Sequence, residues 1–262
     1  MLAPDLAALS ADLRAILSAA RAVPLTYFRA PLEVEAKADE SPVTRADRAT
    51  EERLRAEISK RFPTHGIYGE EFGGATEAEY LWVIDPIDGT KSFISGHPLW
   101  GMLLGLLHQG RPILGAIQMP VLGEVAWGGP GLGAFLGDQP LRCRTIASPS
   151  EAFICINELR RTLIAQPQVA TALMSATRIV REAADCYSYL QLAAGWIDGV
   201  VDYGLEPYDF LPILPIVQAA GGVMTDWQGR PLGFGSDGRV VAGSPAVHAH
   251  LLDLLRQHGA QD

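Results

Sequence analysis

The chain has 262 residues, of which 48% are apolar and 19% charged, with a formal net charge of −9. That is apolar material enough for one large fold or two packed halves, and it excludes a disordered chain. No basic run supplies the footprint that nucleic acid or an anionic membrane surface demands. A small anionic substrate is disfavoured too, unless bound cations reverse the local sign.

Cys143, Cys155 and Cys186 are widely spaced and form no zinc pattern. They read as buried free thiols of a reducing compartment. The start of the chain has no basic n-region, and Asp5 and Asp12 interrupt its apolar residues. The longest apolar stretches, such as Leu99 to Leu107, fall short of the ~20 residues of a membrane helix. A soluble, cytoplasmic protein is expected, with no membrane and no nucleic-acid partner.

Leu2, Leu6, Leu9, Leu13, Ile16 and Leu17 recur at helical spacing. A second helix is predicted over Glu51 to Phe62, capped by Thr44 or Asp47. A strand over Leu81 to Ile84 follows. Strand-like segments come next at Trp100 to Leu107, Ile113 to Gln118, Val125 to Trp127 and Ala134 to Leu136. Hairpin signals between them predict an antiparallel sheet. G-G-P-G-L-G-A-F (Gly128 to Phe135) reads as a glycine-rich hairpin, because Pro130 breaks any dinucleotide spacing.

After about Thr145 strands alternate with helices. Strands are predicted at Ala152 to Ile156, Arg178 to Val180, Gly199 to Val201, Gly222 to Thr225 and Val240 to Gly243. Helices are predicted near Pro167 to Ser175, Tyr187 to Ala194, Leu211 to Ala220 and Pro245 to His258. The organisation expected is an α+β half over 1–144 and an α/β half over 145–262. His248 and His250 are two apart on the last helix, share no face, and read as solvated.

The chemistry is carried by acids. In L-W-V-I-D-P-I-D-G-T-K-S-F (Leu81 to Phe93) an apolar strand runs into Asp85 and Asp88. Pro86 is expected to stop the strand at Ile84. Gly89 and Thr90 suit the mouth of a helix. Glu70 follows a glycine in G-E-E, and Asp209 precedes an apolar helix in P-Y-D-F-L-P. An N-cap is the ordinary role for such an Asp209, and a solvated loop for such a Glu70. If Glu70, Asp85, Asp88 and Asp209 converge, their repulsion calls for hard divalent cations with oxygen ligands. Such a site would suit in-line phosphoryl displacement by water. Gly89 and Thr90 N–H groups would then hold the phosphate. The Thr90 hydroxyl would orient the water, with Glu70 or Asp47 accepting its proton.

These motifs resemble the inositol-monophosphatase superfamily of metal-dependent phosphomonoesterases. The matching pieces are S-P-V-T-R-A-D (Ser41 to Asp47), G-E-E, W-V-I-D-P-I-D-G-T-K-S-F, P-Y-D (Pro207 to Asp209) and A-G-G-V-M-T-D-W-Q-G (Ala220 to Gly229), in family order. The resemblance implies a layered αβαβα sandwich and two or three Mg2+ ions. The ligands it implies are Glu70, Asp85, Asp88, Asp209 and the Ile87 carbonyl. It makes Thr90 and Asp47 the water-activating pair, Gly89 and Thr90 the phosphate cradle, and Lys37 an accessory near the metal waters. It also implies a homodimer and lithium sensitivity.

D-C-Y-S-Y (Asp185 to Tyr189) and V-V-D-Y-G-L-E-P-Y-D (Val200 to Asp209) are similar to the branch that includes the histidinol-phosphate phosphatases. Histidinol phosphate carries an ammonium and an imidazole, which Asp185 and Asp202 would pair. In their ordinary roles Asp185 caps a helix at Cys186 and Asp202 faces solvent. The segment departs from that branch at Ala183-Ala184, where glycines are usual, and at I-C-I-N-E-L-R-R (Ile154 to Arg161). The function expected is hydrolysis of histidinol phosphate. The alternatives are an inositol or sugar phosphatase and, in a different class, a non-catalytic phosphate-binding protein.

Overall fold

The computed structural model describes residues 5–30, 34–36, 42–182 and 185–259. The first half opens with α1 (Leu6–Ala20), α2 (Ala22–Tyr27), a small ribbon of β1 (Val34–Ala36) and β2 (Pro42–Thr44), and α3 (Arg45–Arg61). A seven-stranded sheet follows: β3 (Gly66–Gly69), β4 (Tyr80–Asp88), β5 (Gly101–His108), β6 (Arg111–Met119), β7 (Glu124–Gly129), β8 (Gly133–Leu136) and β9 (Gln139–Leu141), in sequence order. The short helix α4 (Thr90–Ile94) interrupts it after β4. All pairings are antiparallel except β3–β4, which is parallel.

The second half contains β10 (Phe153–Ile156), α5 (Leu159–Ala165), α6 (Pro167–Ala176), β11 (Ile179–Glu182), α7 (Cys186–Ala193) and β12 (Gly199–Tyr203). It ends with α8 (Pro207–Phe210), α9 (Leu214–Ala219), β13 (Val223–Asp226), β14 (Arg239–Gly243) and α10 (Pro245–His258). Its five strands are ordered β11-β10-β12-β14-β13.

Alternation along the strands builds the layers. Side chains of a strand point to opposite faces in turn. On β4, Trp82 and Ile84 pack with Leu13, Leu17, Leu54 and Ile58 of α1 and α3. Leu81 and Val83 pack on the other face with Leu190, Ile213 and Val217 from the α7–α9 region. On β12, Val200 joins that same central cluster, while Val201 joins Val169, Leu173, Val247 and Leu251 of α6 and α10. The result is helices, sheet, helices, sheet, helices: an αβαβα sandwich. By the same alternation Asp85 on β4 and Asp202 on β12 both belong to the faces that look into the central layer.

Several elements differ from expectation. β4 does not stop at Ile84 but runs through Pro86 to Asp88. Its register with β5 shifts between Asp85 and Asp88, so the proline, which has no N–H to donate, falls in a bulge. The helix expected over 211–220 starts three residues late, as α9 at Leu214 with Pro215 in its first turn, and a separate short α8 precedes it. α2, β1, β2, β3, β9, α5 and α8 were not anticipated. Asp47 lies inside the first turn of α3 and does not cap it from outside. His248 is buried, with Nε2 2.9 Å from Thr225 Oγ1. α10 packs that face on the sheet rather than leaving it to water. The three cysteines are free and buried, and 128–135 lies within the β7–β8 hairpin. Among the described residues no helix is long and apolar enough to cross a membrane.

Candidate active site

One cavity of about 180 Å3 opens where the central helical layer meets the carboxyl ends of β4 and β12. Asp85, Asp88 and Asp209 can each bring one carboxylate oxygen within 4.8 Å of the other two. Glu70 lines the same cavity and acts electrostatically on both Asp85 and Asp209. Four acids spread over 140 positions of sequence therefore meet.

Each acid is held by its backbone. Asp85 Oδ1 accepts the Ile87 N–H at 3.0 Å inside the bulge. Asp88 Oδ2 accepts the Cys186 N–H at 2.6 Å, satisfying the first amide of α7. Asp209 Oδ2 accepts the Glu206 N–H at 2.7 Å as the N3 member of a capping box on α8. It is thus not an N-cap. The segment after α8 seats on the sheet at the cross-strand pair Gly105 and Gly115. A Cβ on Gly115 would lie 1.8 Å from the Pro212 carbonyl oxygen, and one on Gly105 2.9 Å from its Cα. Only glycines at both positions let Asp209 come this close.

Glu70 has its own support. The Glu70 N–H donates to the Ile84 carbonyl. Buried Glu51 on α3 accepts the Glu71 N–H at 2.7 Å and the Phe72 N–H at 3.3 Å. Arg55 neutralises Glu51 at 2.7 Å. Sequence reading passed over Glu51, because a glutamate in a charged helix carries no visible signal of burial.

Burial drives the carboxyls up from their ordinary range, and mutual repulsion adds to it. Asp88 is pushed up to about 7, first by burial and then by Asp185. Asp85 and Asp209 are raised well above the usual range, Asp85 by burial and then by Glu70, Asp209 by burial and then by Asp88. An all-oxygen, half-buried donor set that repels itself fits hard divalent cations.

The Thr90 hydroxyl donates to the Ile87 carbonyl at 3.2 Å. Gly89 has φ 83° and precedes α4, so only glycine adopts that entry without strain. A Cβ there would also lie 2.6 Å from Asp185 Oδ2. Asp47 is buried and does not line the cavity. Its neighbour Ala46 packs with Ile87 and Phe93, which sets the start of α3 behind Thr90. Lys37 lies outside the described residues.

The adjoining wall belongs largely to the second half. Asp185 holds the N-cap position of α7, but among the described residues its side chain makes no cap bond and accepts instead from Ser92 Oγ at 2.7 Å. Its φ of 46° is unusual for a residue with a side chain. Asp202 does not face solvent; it is 2% exposed. It accepts from Asn157 Nδ2 at 2.7 Å, Tyr189 Oη at 3.2 Å and the Tyr203 N–H at 3.0 Å. Burial outweighs those donors and pushes Asp202 up to about 7. Asn157, Glu158, Lys91, Tyr189 and Tyr208 also line the cavity and were missed. The signal for Asn157 and Glu158 was available: like Asp85, they follow an apolar run at the carboxyl end of a strand, where open sheets bind ligands.

Comparison with known proteins now bears on this geometry. Residues 6–260 match the model of the inositol monophosphatase family. The chain belongs to this family. It is a phosphoric monoester hydrolase, which sets aside the non-catalytic alternative, and the family is generally Mg2+-dependent. The chain is 36% identical over 243 residues to the bifunctional phosphatase IMPL2, chloroplastic, of Arabidopsis thaliana, covering 88% of this chain and 70% of the relative. It is 38% identical over 222 residues to a histidinol-phosphatase of Chlorobaculum parvum, covering 83% and 85%. An inositol monophosphatase structure from Zymomonas mobilis superposes with a TM-score of 0.87 at 33% identity, covering 97% of this chain and 100% of that one.

Proposed function

We propose that this enzyme hydrolyses histidinol phosphate to histidinol and phosphate by direct attack of water, without a phospho-enzyme. The observation that carries this reading is the pair of further acids beside the metal cluster. Asp202 is a buried acid and Asp185 a half-buried one, and both line the cavity in which the alcohol part of the ester would lie. A leaving group bearing an ammonium and an imidazole stabilises both, whereas a polyol offers only hydroxyls.

In this reading Glu70, Asp85, Asp88, Asp209 and the Ile87 carbonyl hold two or three Mg2+ ions. Those ions supply neutralisation of the phosphoryl oxygens and acidify water. The chain does the rest. Gly89 and Thr90 N–H groups cradle the phosphate. The Thr90 hydroxyl orients the water, Glu70 accepts its proton, and Asp47 steadies Thr90 from behind. Lys37 is an accessory near the metal waters. The two halves, 1–144 and 145–262, divide the work into metal site and substrate selection, with Asp209 crossing between them. A cytoplasmic homodimer completes the reading.

The second reading, an inositol or sugar phosphatase, is favoured by the likeness to the Zymomonas structure. Phosphate release with Mg2+ present, measured as kcat/KM on histidinol phosphate, inositol 1-phosphate and a hexose phosphate, separates the two. A preference of about tenfold or more for histidinol phosphate is expected, and a preference for inositol 1-phosphate overturns the proposal. Chelation abolishes activity, and added Mg2+ restores it.

A further inference from the structure

Across the mouth of the cavity Lys91 Nζ lies 2.7 Å from Glu158 Oε1. Lys91 belongs to α4 in the first half and Glu158 to the start of α5 in the second. Both line the cavity. Glu158 is the N-cap residue of α5, where an acidic side chain ordinarily satisfies helix amides, yet its side chain makes no cap bond among the described residues. Its carboxylate is turned to Lys91 instead, and it lies close enough to repel both Asp185 and Asp202.

Asn157, one residue before it, is 7% exposed. Its Nδ2 is committed to Asp202 Oδ2, to Ser188 Oγ at 3.0 Å and to the Asp185 carbonyl at 3.3 Å. All three are acceptors, so the amide orientation is fixed by them. Its Oδ1 is buried and accepts no hydrogen bond among the described residues. This part of the wall therefore offers the Glu158 carboxylate beside Asp185 and Asp202, with Asn157 Oδ1 buried behind it and Arg161, which donates to the Gly204 carbonyl at 3.0 Å, lining the same cavity. The three carboxylates Glu158, Asp185 and Asp202 outnumber the two cations Lys91 and Arg161 here, and they favour a ligand that brings charged hydrogen-bond donors.

We infer that Glu158 is a specificity-determining residue that exchanges Lys91 for a cationic group of the substrate's alcohol portion. The inference rests on the cationic-substrate reading above and adds to it a residue and a mechanism of selection. The Lys91 side chain is 69% exposed and that of Glu158 32%. An ion pair so open to water is weak and screened, so an incoming ammonium displaces Lys91 at small cost. Asp185 and Asp202 serve the deeper end of the leaving group and Glu158 the end nearer the mouth. A neutral polyol ester has nothing to exchange for Lys91 and leaves the pair closed.

The test compares wild type, Glu158→Gln and Lys91→Gln on two matched pairs of esters, with Mg2+ present. The first pair is histidinol phosphate and inositol 1-phosphate; the second is phosphoethanolamine and glycerol phosphate. The readout is the ratio of kcat/KM for the cationic ester to that for the neutral one. Glu158→Gln is expected to lower this ratio about tenfold, mainly through KM for the cationic ester. Lys91→Gln, which frees Glu158, is expected to raise it about threefold.

If wild type prefers inositol 1-phosphate, the histidinol reading fails, while the second pair still reports on Glu158. The inference is overturned if Glu158→Gln leaves both ratios within twofold of wild type. It is overturned equally if both variants slow all four esters in parallel, the mark of a purely structural latch.

Discussion

Neutralising one metal-site carboxylate is expected to strengthen the metal-free protein while destroying its activity. Consider Asp88→Asn. The asparagine Oδ1 can still accept the Cys186 N–H that Asp88 Oδ2 takes at 2.6 Å, so α7 keeps its first amide satisfied. What the change removes is a charge crowded by Asp185 and by burial. Without cations, Asp88 is pushed from the ordinary 3.8 to about 7. That is a displacement of about three pH units, at about 1.4 kcal/mol each, or about 4 kcal/mol. Relaxation and the neighbouring acids share the load, so about 2–4 kcal/mol is expected in practice.

The sign follows from linkage. The folded chain holds this proton to higher pH than the unfolded chain does. Metal-free stability is therefore highest below about pH 4 as far as this group is concerned, and it is lost as pH rises to about 7. In chelator at about pH 8, Asp88→Asn should melt above wild type by about 5–10 °C. At about pH 5 the gap should shrink by more than half. Added Mg2+ should raise the wild-type midpoint strongly and the variant's little, with hydrolysis lost. A variant less stable than wild type in chelator at about pH 8 would refute the reasoning, because Asp88 would then be a stabilising cap and not a strained ligand.

Glu51→Ala leaves the Glu71 and Phe72 amides without their acceptor. It should cost about 2–3 kcal/mol in denaturant titrations and weaken Mg2+ activation by loosening Glu70. Gly115→Ala drives a methyl group against the Pro212 carbonyl. It should cost about 1–3 kcal/mol and raise the Mg2+ concentration needed for half-activation, because Asp209 is displaced with that segment. Because Asp202 sits at about 7 and binds a cation only when ionised, kcat/KM for a cationic ester should rise from about pH 6 to about pH 8. Asp202→Asn should flatten that limb, and a profile unchanged by the substitution would rule Asp202 out as the titrating group.

Much of the site was legible because its chemistry sits in short, local patterns. A strand that delivers two acids, a glycine and a threonine into a turn can be read without knowing where the chain goes next. Lys91 stood inside that motif and was still passed over, because its partner Glu158 is 67 positions away. Glu51 was invisible for a similar reason: nothing local says that a glutamate on a charged helix is buried against a turn twenty residues on. The strand boundary at Pro86 was misread because a bulge, set by pairing with β5, absorbs the missing donor. Asp185 and Asp202 were singled out, yet only packing shows that the Asp185 side chain makes no cap bond among the described residues and that Asp202 is not a surface acid.

The sequence by itself determined the alternation of apolar residues, hence which face of each strand is buried, and the donor chemistry of the acids, hence the class of cation they suit. Only the tertiary structure decided that Glu70, Asp85, Asp88 and Asp209 share one space and that Asn157, Glu158 and Asp202 face them. The physical reason is that side-chain identity and strand period are local properties. Distance between residues far apart in the chain is set instead by how two sheets close on a common layer of helices, and in this protein by two glycines that let Pro212 settle onto the sheet.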